Sequence, residues 1–523
     1  MARPLPAASV ASAHDAFDRP GSPAGPATPA QESTQSRRLR LDWPGRVWEP
    51  RGALQPPVQG RSGSRVGVLF PPIAPLAPIA PHIVPTEVFG SDAAPTGRLV
   101  LGDALDVAHA LGAEGLRGGV DLVYVDPPFA SQVAYVHEAR LDGPADGRVV
   151  RATAYDDRWE GEGVGSYLDM LAPRLEALAG LLAPTGTLWV HVDWRASYLV
   201  RVILDEILGR GAFVNEIVWR RAPNLGRQAA SHQFGRTLDT LVVYGRPQAK
   251  LQPPTRLEPI EPGAVRWDAE GRPFTTAPRG DYTDTSIARL EAEGRVHRTA
   301  SGRVYVKYFL VKNAEGTHCR ERRVDALWTD VPPLRHARTG ERTGFPTQKP
   351  RALLDRVIAC ACPRGGLVVD LFGGSGTTAE SAHSLGRRFV VGDASPLALG
   401  TARARLLRAK ASFVVEQCGP PRDQPGRDSV ARARVEASAS SFAGEVDRER
   451  LRVELVAPID PPAWAIDVAH DPSGPFRTRW HSERAPGARA RPAAPVALVD
   501  RGCGPIAVRV WYDDGGVDTV EVP

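Results

Sequence analysis

The sequence predicts an α/β protein built on a doubly wound parallel sheet. Three observations carry that expectation: strand-length apolar runs recur from residue 98 onward, helix-period segments separate several of them, and two loop motifs follow directly on such runs. The runs are Arg98 to Gly102, Asp121 to Val125, Thr187 to Val192, Leu238 to Tyr244, Leu367 to Phe372 and Phe389 to Gly392. Leu168, Leu171, Leu175, Leu178 and Leu182 keep a helical period. Pro173 among them is expected in the first turn or at a kink, because proline lacks the amide that an interior turn uses.

The flanks read differently. Residues 1–95 are rich in Pro, Ala, Gly, Ser and Arg with little periodic apolar content, so they are expected to form a disordered arm. Within it, prolines 72, 75, 78 and 81 recur at the polyproline II period, as a stiff linker or a docking peptide would. Residues 96–246 and 344–410 carry the strand and helix signals. Between them, 247–343 fades into Pro, Gly, Arg and aromatic residues and reads as a separate lobe. Residues 411–523 are expected to be a linker and a small β-rich module, in which Ile506 to Trp511 and Val517 to Val522 flank the hairpin signal Asp513-Asp514-Gly515-Gly516.

Composition sets bounds but decides little. With 523 residues and 42% hydrophobic content the chain can bury a sizeable core. A net charge of +5 fits a polyanionic partner, although an Arg-rich coding bias gives the same balance. Cys319, Cys360, Cys362, Cys418 and Cys503 form no Cys-x-x-Cys pair, which argues against a zinc site and a disulfide framework and for a reducing, cytoplasmic location. No run reaches 18 uninterrupted apolar residues, so neither a membrane span nor a secretory leader is expected.

Two motifs carry chemistry. Asp126-Pro127-Pro128-Phe129 sets a carboxylate, a rigid turn and an aromatic plane at the end of a strand, which suits a flat ring bearing an amine. Val368 to Thr378 reads as strand, glycine turn, helix; Gly374-x-Gly376-x-x-Ala379 matches a dinucleotide fingerprint, and Asp393 follows at the distance of a ribose-binding acid. Residue chemistry thus predicts an adenosine-type cofactor and leaves NAD and S-adenosylmethionine open. Asp370, Phe372 and Asp126 make the pocket acidic and aromatic, which suits a sulfonium cation better than a pyrophosphate. Both motifs end strands, so one cleft at the carboxyl edge of the sheet would hold both.

In this order the two motifs resemble the amino-group DNA methyltransferases of the N4/N6 family, in the permuted, beta-type arrangement where the catalytic motif precedes the cofactor motif. Gly102-Asp103-Ala104-Leu105, Gly186 to Asp193, Phe213 to Trp219, Trp328 to Pro333 and Gly344 to Pro350 look like further segments of that family, and the resemblance covers about 98–410. It implies a Rossmann-like methyltransferase domain with an inserted target-recognition lobe at 247–343, S-adenosylmethionine as methyl donor and double-stranded DNA as substrate. Asp126, Pro127, Pro128 and Phe129 would hold a flipped base. Asp103, Ala104, Gln348, Lys349, Pro350, Asp370, Phe372, Gly373, Gly374, Gly376, Thr377 and Asp393 would surround the cofactor. Leu371 and Ser375 depart from a common Pro and Cys in the glycine motif, at positions that need no chemistry.

Asp at the head of the tetrapeptide goes with adenine N6 in the family, and Ser with cytosine N4. Adenine is the expectation, with N4-cytosine and a catalytically inactive DNA-binding relic as alternatives. No Pro-Cys dipeptide occurs, which counts against the cysteine route to C5-methylcytosine. In the lobe, Arg303, Tyr305, Lys307, Arg320, Arg322 and Arg323 are the expected DNA contacts, and His232 to Arg236 is placed at the cleft rim. His191 reads as a strand residue rather than a base. No metal site is expected; a restriction subunit or a second copy of the chain remains an open partner.

Overall fold

The computed structural model describes residues 81–90, 95–141, 148–159, 164–224, 232–337 and 340–419, together with 434–442, 445–457, 463–467, 470–471, 473–478, 480–483, 496–500, 505–511 and 517–522. The central feature is an eleven-stranded sheet. Its strands are β1 Ile83–Phe89, β2 Gly97–Leu101, β3 Val120–Val125, β4 Leu182–Val192, β5 Phe213–Arg220, β6 Leu238–Gly245, β7 Leu327–Trp328, β8 Leu367–Asp370, β9 Arg388–Asp393, β10 Phe413–Cys418 and β11 Phe476–Arg477. Their order across the sheet is β7-β5-β6-β4-β3-β8-β9-β2-β10-β1-β11.

From β4 to β10 neighbouring strands run parallel. These strands read as near-continuous apolar runs because both sheet faces are covered. The alternation of side chains divides the core in two. Leu122 and Tyr124 join a cluster with α5 Arg351–Ala361, α6 Thr377–Ser384 and α7 Pro396–Arg408, built on Leu353, Val357, Ala379 and Leu406. Val123 and Val125 point to the other face, against α1 Ala104–Leu111, α2 Val164–Ala179 and α3 Ser197–Leu208, through Val107, Leu171, Leu175 and Val200. This is the doubly wound, Rossmann-like fold that the sequence predicts. From β3 the chain moves outward to β4, and from β8 outward to β9, so β3 and β8 flank the point where strand order diverges. Ligands of such sheets bind there, beyond the carboxyl ends.

The lobe forms its own sheet from Thr255–Pro259, Arg266–Trp267, Pro273–Pro278, Val296–Arg298, Val304–Lys312 and His318–Arg323. The helix Asp284–Ala292 covers one face through Ile287 and Leu290 against Val306.

Two expectations are corrected. The arm does not run unordered to residue 95: Ile83–Phe89 is β1, antiparallel to β10, with Phe89 stacked on Phe413 at 4.8 Å. Its partner lies more than 300 residues away, so no local signal announced it. The catalytic sheet likewise continues past 410 into β10. In the expected β-rich C-terminal module, β11 extends the central sheet beside β1 and Trp511 packs on Phe89 at 6.1 Å. Pro173, expected in the first turn or at a kink, lies in the interior of α2. The predicted hairpin pairs Ile506 with Val522 through Trp511 with Val517. The proline-rich segment before residue 81 and the turn at 512–516 lie outside the described residues.

Candidate active site

A cavity of about 270 Å³ lies beyond the ends of β3 and β8. On the β8 side the glycine loop forms its floor. Asp370 closes the strand, accepting from the Phe372 amide at 3.0 Å and the Thr378 hydroxyl at 2.5 Å. Burial pushes its pKa up to about 7. Gly374 and Gly376 take positive φ values of 49° and 75°. A Cβ on Gly376 would sit 2.5 Å from that of Ala402, and one on Gly373 would sit 2.3 Å from a Val391 methyl, so the loop needs glycine for packing as well as for the turn. Asp393, at the end of β9, accepts from the amides of Gly374 and Ser395, each at 2.8 Å. Burial raises its pKa, and those amides oppose the shift. The acid predicted to meet a ribose therefore also ties β9 to the loop.

On the β3 side stands the tetrapeptide. Both oxygens of Asp126 face the Lys349 ammonium, at 2.7 and 2.5 Å, and that ammonium lies 5.1 Å from the Phe129 ring centre. The loop is held from outside the motif. Asp157, 1% exposed, accepts from the amides of Phe129, Ala130 and Ser131 at 3.2, 3.0 and 2.7 Å, from the Ser131 hydroxyl at 2.6 Å and from the Trp159 indole at 2.9 Å. The Tyr167 hydroxyl donates to the Pro128 carbonyl at 2.9 Å. These bonds hold Ala130 and Gln132 at φ values of 55° and 62°, a conformation that L-residues adopt only under constraint.

Behind Phe129 lies a buried polar chain. The His191 ring centre is 6.0 Å from that of Phe129. Its Nδ1 shares a hydrogen bond with the Tyr124 hydroxyl at 2.8 Å and its Nε2 another with Asp239 at 3.2 Å, while Arg221 donates to Asp239 at 2.7 Å. Burial drives the Asp239 pKa up, but the bond and charge of His191, with Lys349 and Arg221, outweigh it and leave the group below its usual value. His191 is thus a strand residue, as expected, with a fixed place behind the aromatic clamp. The roof comes from the hairpin Ala134–Leu141 and Arg148–Asp156, which the sequence did not announce. Tyr135 stacks on Tyr155 at 4.7 Å, and the Tyr155 hydroxyl meets that of Thr347 at 3.1 Å.

Asp103, Ala104, Gln348, Lys349, Asp370, Phe372, Gly373, Gly374, Thr377 and Asp393 line the cavity together with Asp126, Pro127, Pro128 and Phe129. Pro350 and Gly376 do not line it; they cap the starts of α5 and α6. Gln348 gives its amide to the loop before it, accepting from Thr343 and donating to the Glu341 carbonyl. Asp103 caps α1 through the Leu105 amide and meets Arg174 at 2.5 Å. Asp157, Tyr155, Arg174 and the His191 chain escaped the sequence reading, because each acts through the fold rather than through a motif.

The lobe residues do not share one face. Register pairs Leu310 with Arg320 and Val311 with Cys319, so period-two alternation sets Tyr305, Lys307 and Arg323 on one face and Arg320 and Arg322 on the other. Arg320 lies 3.5 Å from the Tyr308 ring centre and Arg322 lies 3.6 Å from Glu258. Arg303 sits in the turn before the strand.

The fold and this cleft are those of a doubly wound sheet with a ligand cavity at its carboxyl edge. The N6/N4 methyltransferase model, described as DNA methylase, matches residues 120–400, and the chain belongs to that family. It is 26% identical to the type II methyltransferase M.EcaI of Enterobacter cloacae over 62% of this chain and 73% of that one. It is 25% identical to the Mod subunit of the type III restriction-modification enzyme StyLTI of Salmonella typhimurium, over 54% of this chain and 49% of the subunit. Among solved structures, that of an M1.HpyAVI–SAM complex matches at 16% identity and a TM-score of 0.34, covering 59% of this chain and 98% of the other.

The family's methyl donor is S-adenosylmethionine, and the lining fits it. Six aspartates, Asp103, Asp126, Asp156, Asp157, Asp370 and Asp393, line the cavity against the two cations of Arg174 and Lys349. That excess of acceptors suits a molecule carrying hydroxyls, an amine and a sulfonium. Bare glycine backbone at 373–374 gives it room to approach.

Proposed function

We propose that this DNA methyltransferase acts on the exocyclic N6 of adenine in duplex DNA, by direct transfer to a base turned out of the helix. The reading rests on one observation: Asp126 and Phe129 line the same cavity as the glycine loop, and the Lys349 ammonium lies against both. The lone pair of an exocyclic amine is delocalised into its ring and attacks poorly. An N–H donated to Asp126, and a second to the Pro127 carbonyl, would localise that pair on nitrogen, and Phe129 would hold the ring by stacking. Bound cofactor supplies an electrophilic methyl group. The nitrogen would take that methyl as the sulfur–carbon bond breaks, the bonding pair staying on sulfur, and its lost proton would pass to Asp126. The base must leave the duplex to reach this depth.

Asp126 itself favours adenine, through the association of Asp with N6 transfer in the beta-type, permuted family members that this motif order resembles. Intact Asp126, Gly373, Gly374 and Asp393 speak against an inactive relic. Lys349, expected at the cofactor, is assigned instead to Asp126, where the incoming amine must share the carboxylate with it. We assign target recognition to 247–343, with the face of Tyr305, Lys307 and Arg323 toward DNA. The likeness to a Mod subunit supports a separate restriction partner, and a cytoplasmic site of action follows from a DNA substrate. Among the described residues no helix is long and apolar enough to cross a membrane.

Incubation of duplex DNA with labelled S-adenosylmethionine, followed by nucleoside mass spectrometry, tests the reading. N6-methyladenine is expected. N4-methylcytosine would move the reaction to the other base, and unlabelled DNA that still binds the protein would make the chain a relic.

A further inference from the structure

A second constellation stands at the same edge of the sheet as Asp126. Val125 pairs with Val190 and Val192 with Thr240, so the chain leaving β4 at Asp193-Trp194 and the chain entering β6 at Arg236-Thr237 lie on the rim where β3 delivers Asp126. Trp194 and Leu238, which that register brings near each other, are both exposed. The Arg236 guanidinium lies 4.1 Å and that of Arg195 4.9 Å from the Trp194 ring centre. Two residues before Arg236, Phe234 is 101% exposed, as open as a side chain in an extended peptide.

The segment bearing Phe234 is nevertheless anchored. The Ala222 amide donates to the Thr237 carbonyl at 3.4 Å, the Thr237 amide to the Gly235 carbonyl at 3.0 Å, and Arg221 to the Arg236 carbonyl at 3.4 Å. A Cβ on Gly235 would come within 2.2 Å of the Asn224 side chain. Arg221 also holds Asp239 of the chain behind Phe129, so one arginine links this segment to the aromatic clamp. An apolar ring on an anchored segment, flanked by arginines and set on the rim of a cleft that must receive an extruded base, has the chemistry of an intercalating wedge.

We propose that Phe234 is the wedge that enters the base stack when the target leaves it, with Arg236 and Arg195 on Trp194 holding the adjoining phosphates. The role is positioning rather than catalytic: Phe234 stabilises the opened duplex and touches no reacting atom. The inference rests on the methyl-transfer reading above. It differs from the lobe contacts, because it concerns the space vacated by the target rather than recognition of its neighbours.

The test compares Phe234→Ala with the wild type on two duplexes carrying the methylated context. One has the target fully paired and the other has it opposite an abasic site, where opening costs little. Because the ring is exposed, its removal leaves the core intact, and Phe234→Leu serves as the conservative control. The proposal expects Phe234→Ala to methylate the paired duplex at least about tenfold more slowly and to return to near wild-type rate on the abasic-opposed one, with Phe234→Leu intermediate on the paired duplex. Equal loss on both duplexes, or no loss on either, would overturn the wedge. A wild type that labels neither duplex would overturn methyl transfer itself, and a wild type active on both separates the two failures.

Discussion

Asp157 governs where the Asp126-Pro127-Pro128-Phe129 turn sits, although it belongs to no motif. Its buried carboxylate gathers three successive amides of that loop, so Asp157→Ala strands donors that each cost about 1–3 kcal/mol when left unpaired. Such a variant should melt earlier than the wild type and lose about tenfold or more in kcat while still binding cofactor; calorimetry and single-turnover rates would show both. Lys349→Met makes a complementary prediction. Because its ammonium pairs with Asp126, the variant should lose turnover more than cofactor affinity, and calorimetric titration separates the two. Asp370 supplies a pH signature. Its folded pKa, raised to about 7 from an unfolded value near 3.8, means that its contribution to stability is full below about 4 and is lost as pH rises through 7. Asp370→Asn should therefore gain on the wild type in melting temperature as pH increases from 4 to 8. The catalytic and glycine motifs were legible because each is a short contiguous string whose geometry is local. Asp157 and the His191–Asp239 pair were not, since only the folded sheet and hairpin bring them to the clamp.

Strands showed the same division between local and distant causes. The six apolar runs all became strands because burial on both faces demands continuous apolar sequence, and that demand is written locally. β1 carries only a short run broken by Pro85, and its partner β10 is supplied by the far end of the catalytic domain. Its Glu87 side chain is met by residues still further along: the Trp511 indole donates to it at 3.2 Å and Arg509 lies 3.3 Å from the same carboxylate. The C-terminal module is thereby part of the catalytic body. Trp511→Ala should cost roughly 3–5 kcal/mol, the range for truncating a buried tryptophan, and should lower the melting temperature of the whole unit in one transition. A separate low-temperature transition, with the main one unmoved, would show the module to be independent.

At the scale of the molecule, the insertion of a basic lobe between the two halves of the sheet gives the account its substrate. The two-faced geometry of the lobe was not legible from composition, because pairing register decides which arginines align. Lys307→Ala should weaken DNA binding and reduce the slope of log affinity against log salt by about 1, whereas Arg322→Ala, whose partner is Glu258, should leave that slope unchanged. Fluorescence titration at several salt concentrations measures both. The central claim, that Asp126 clamps an adenine amino group for methyl transfer, is tested most directly by long-read sequencing of genomic DNA from a host expressing the wild type or Asp126→Ala. N6-methyladenine is expected in one short sequence context in the first and none in the second. Unmodified DNA from a host with abundant soluble wild-type protein, or the same modification in the Asp126→Ala host, would contradict it.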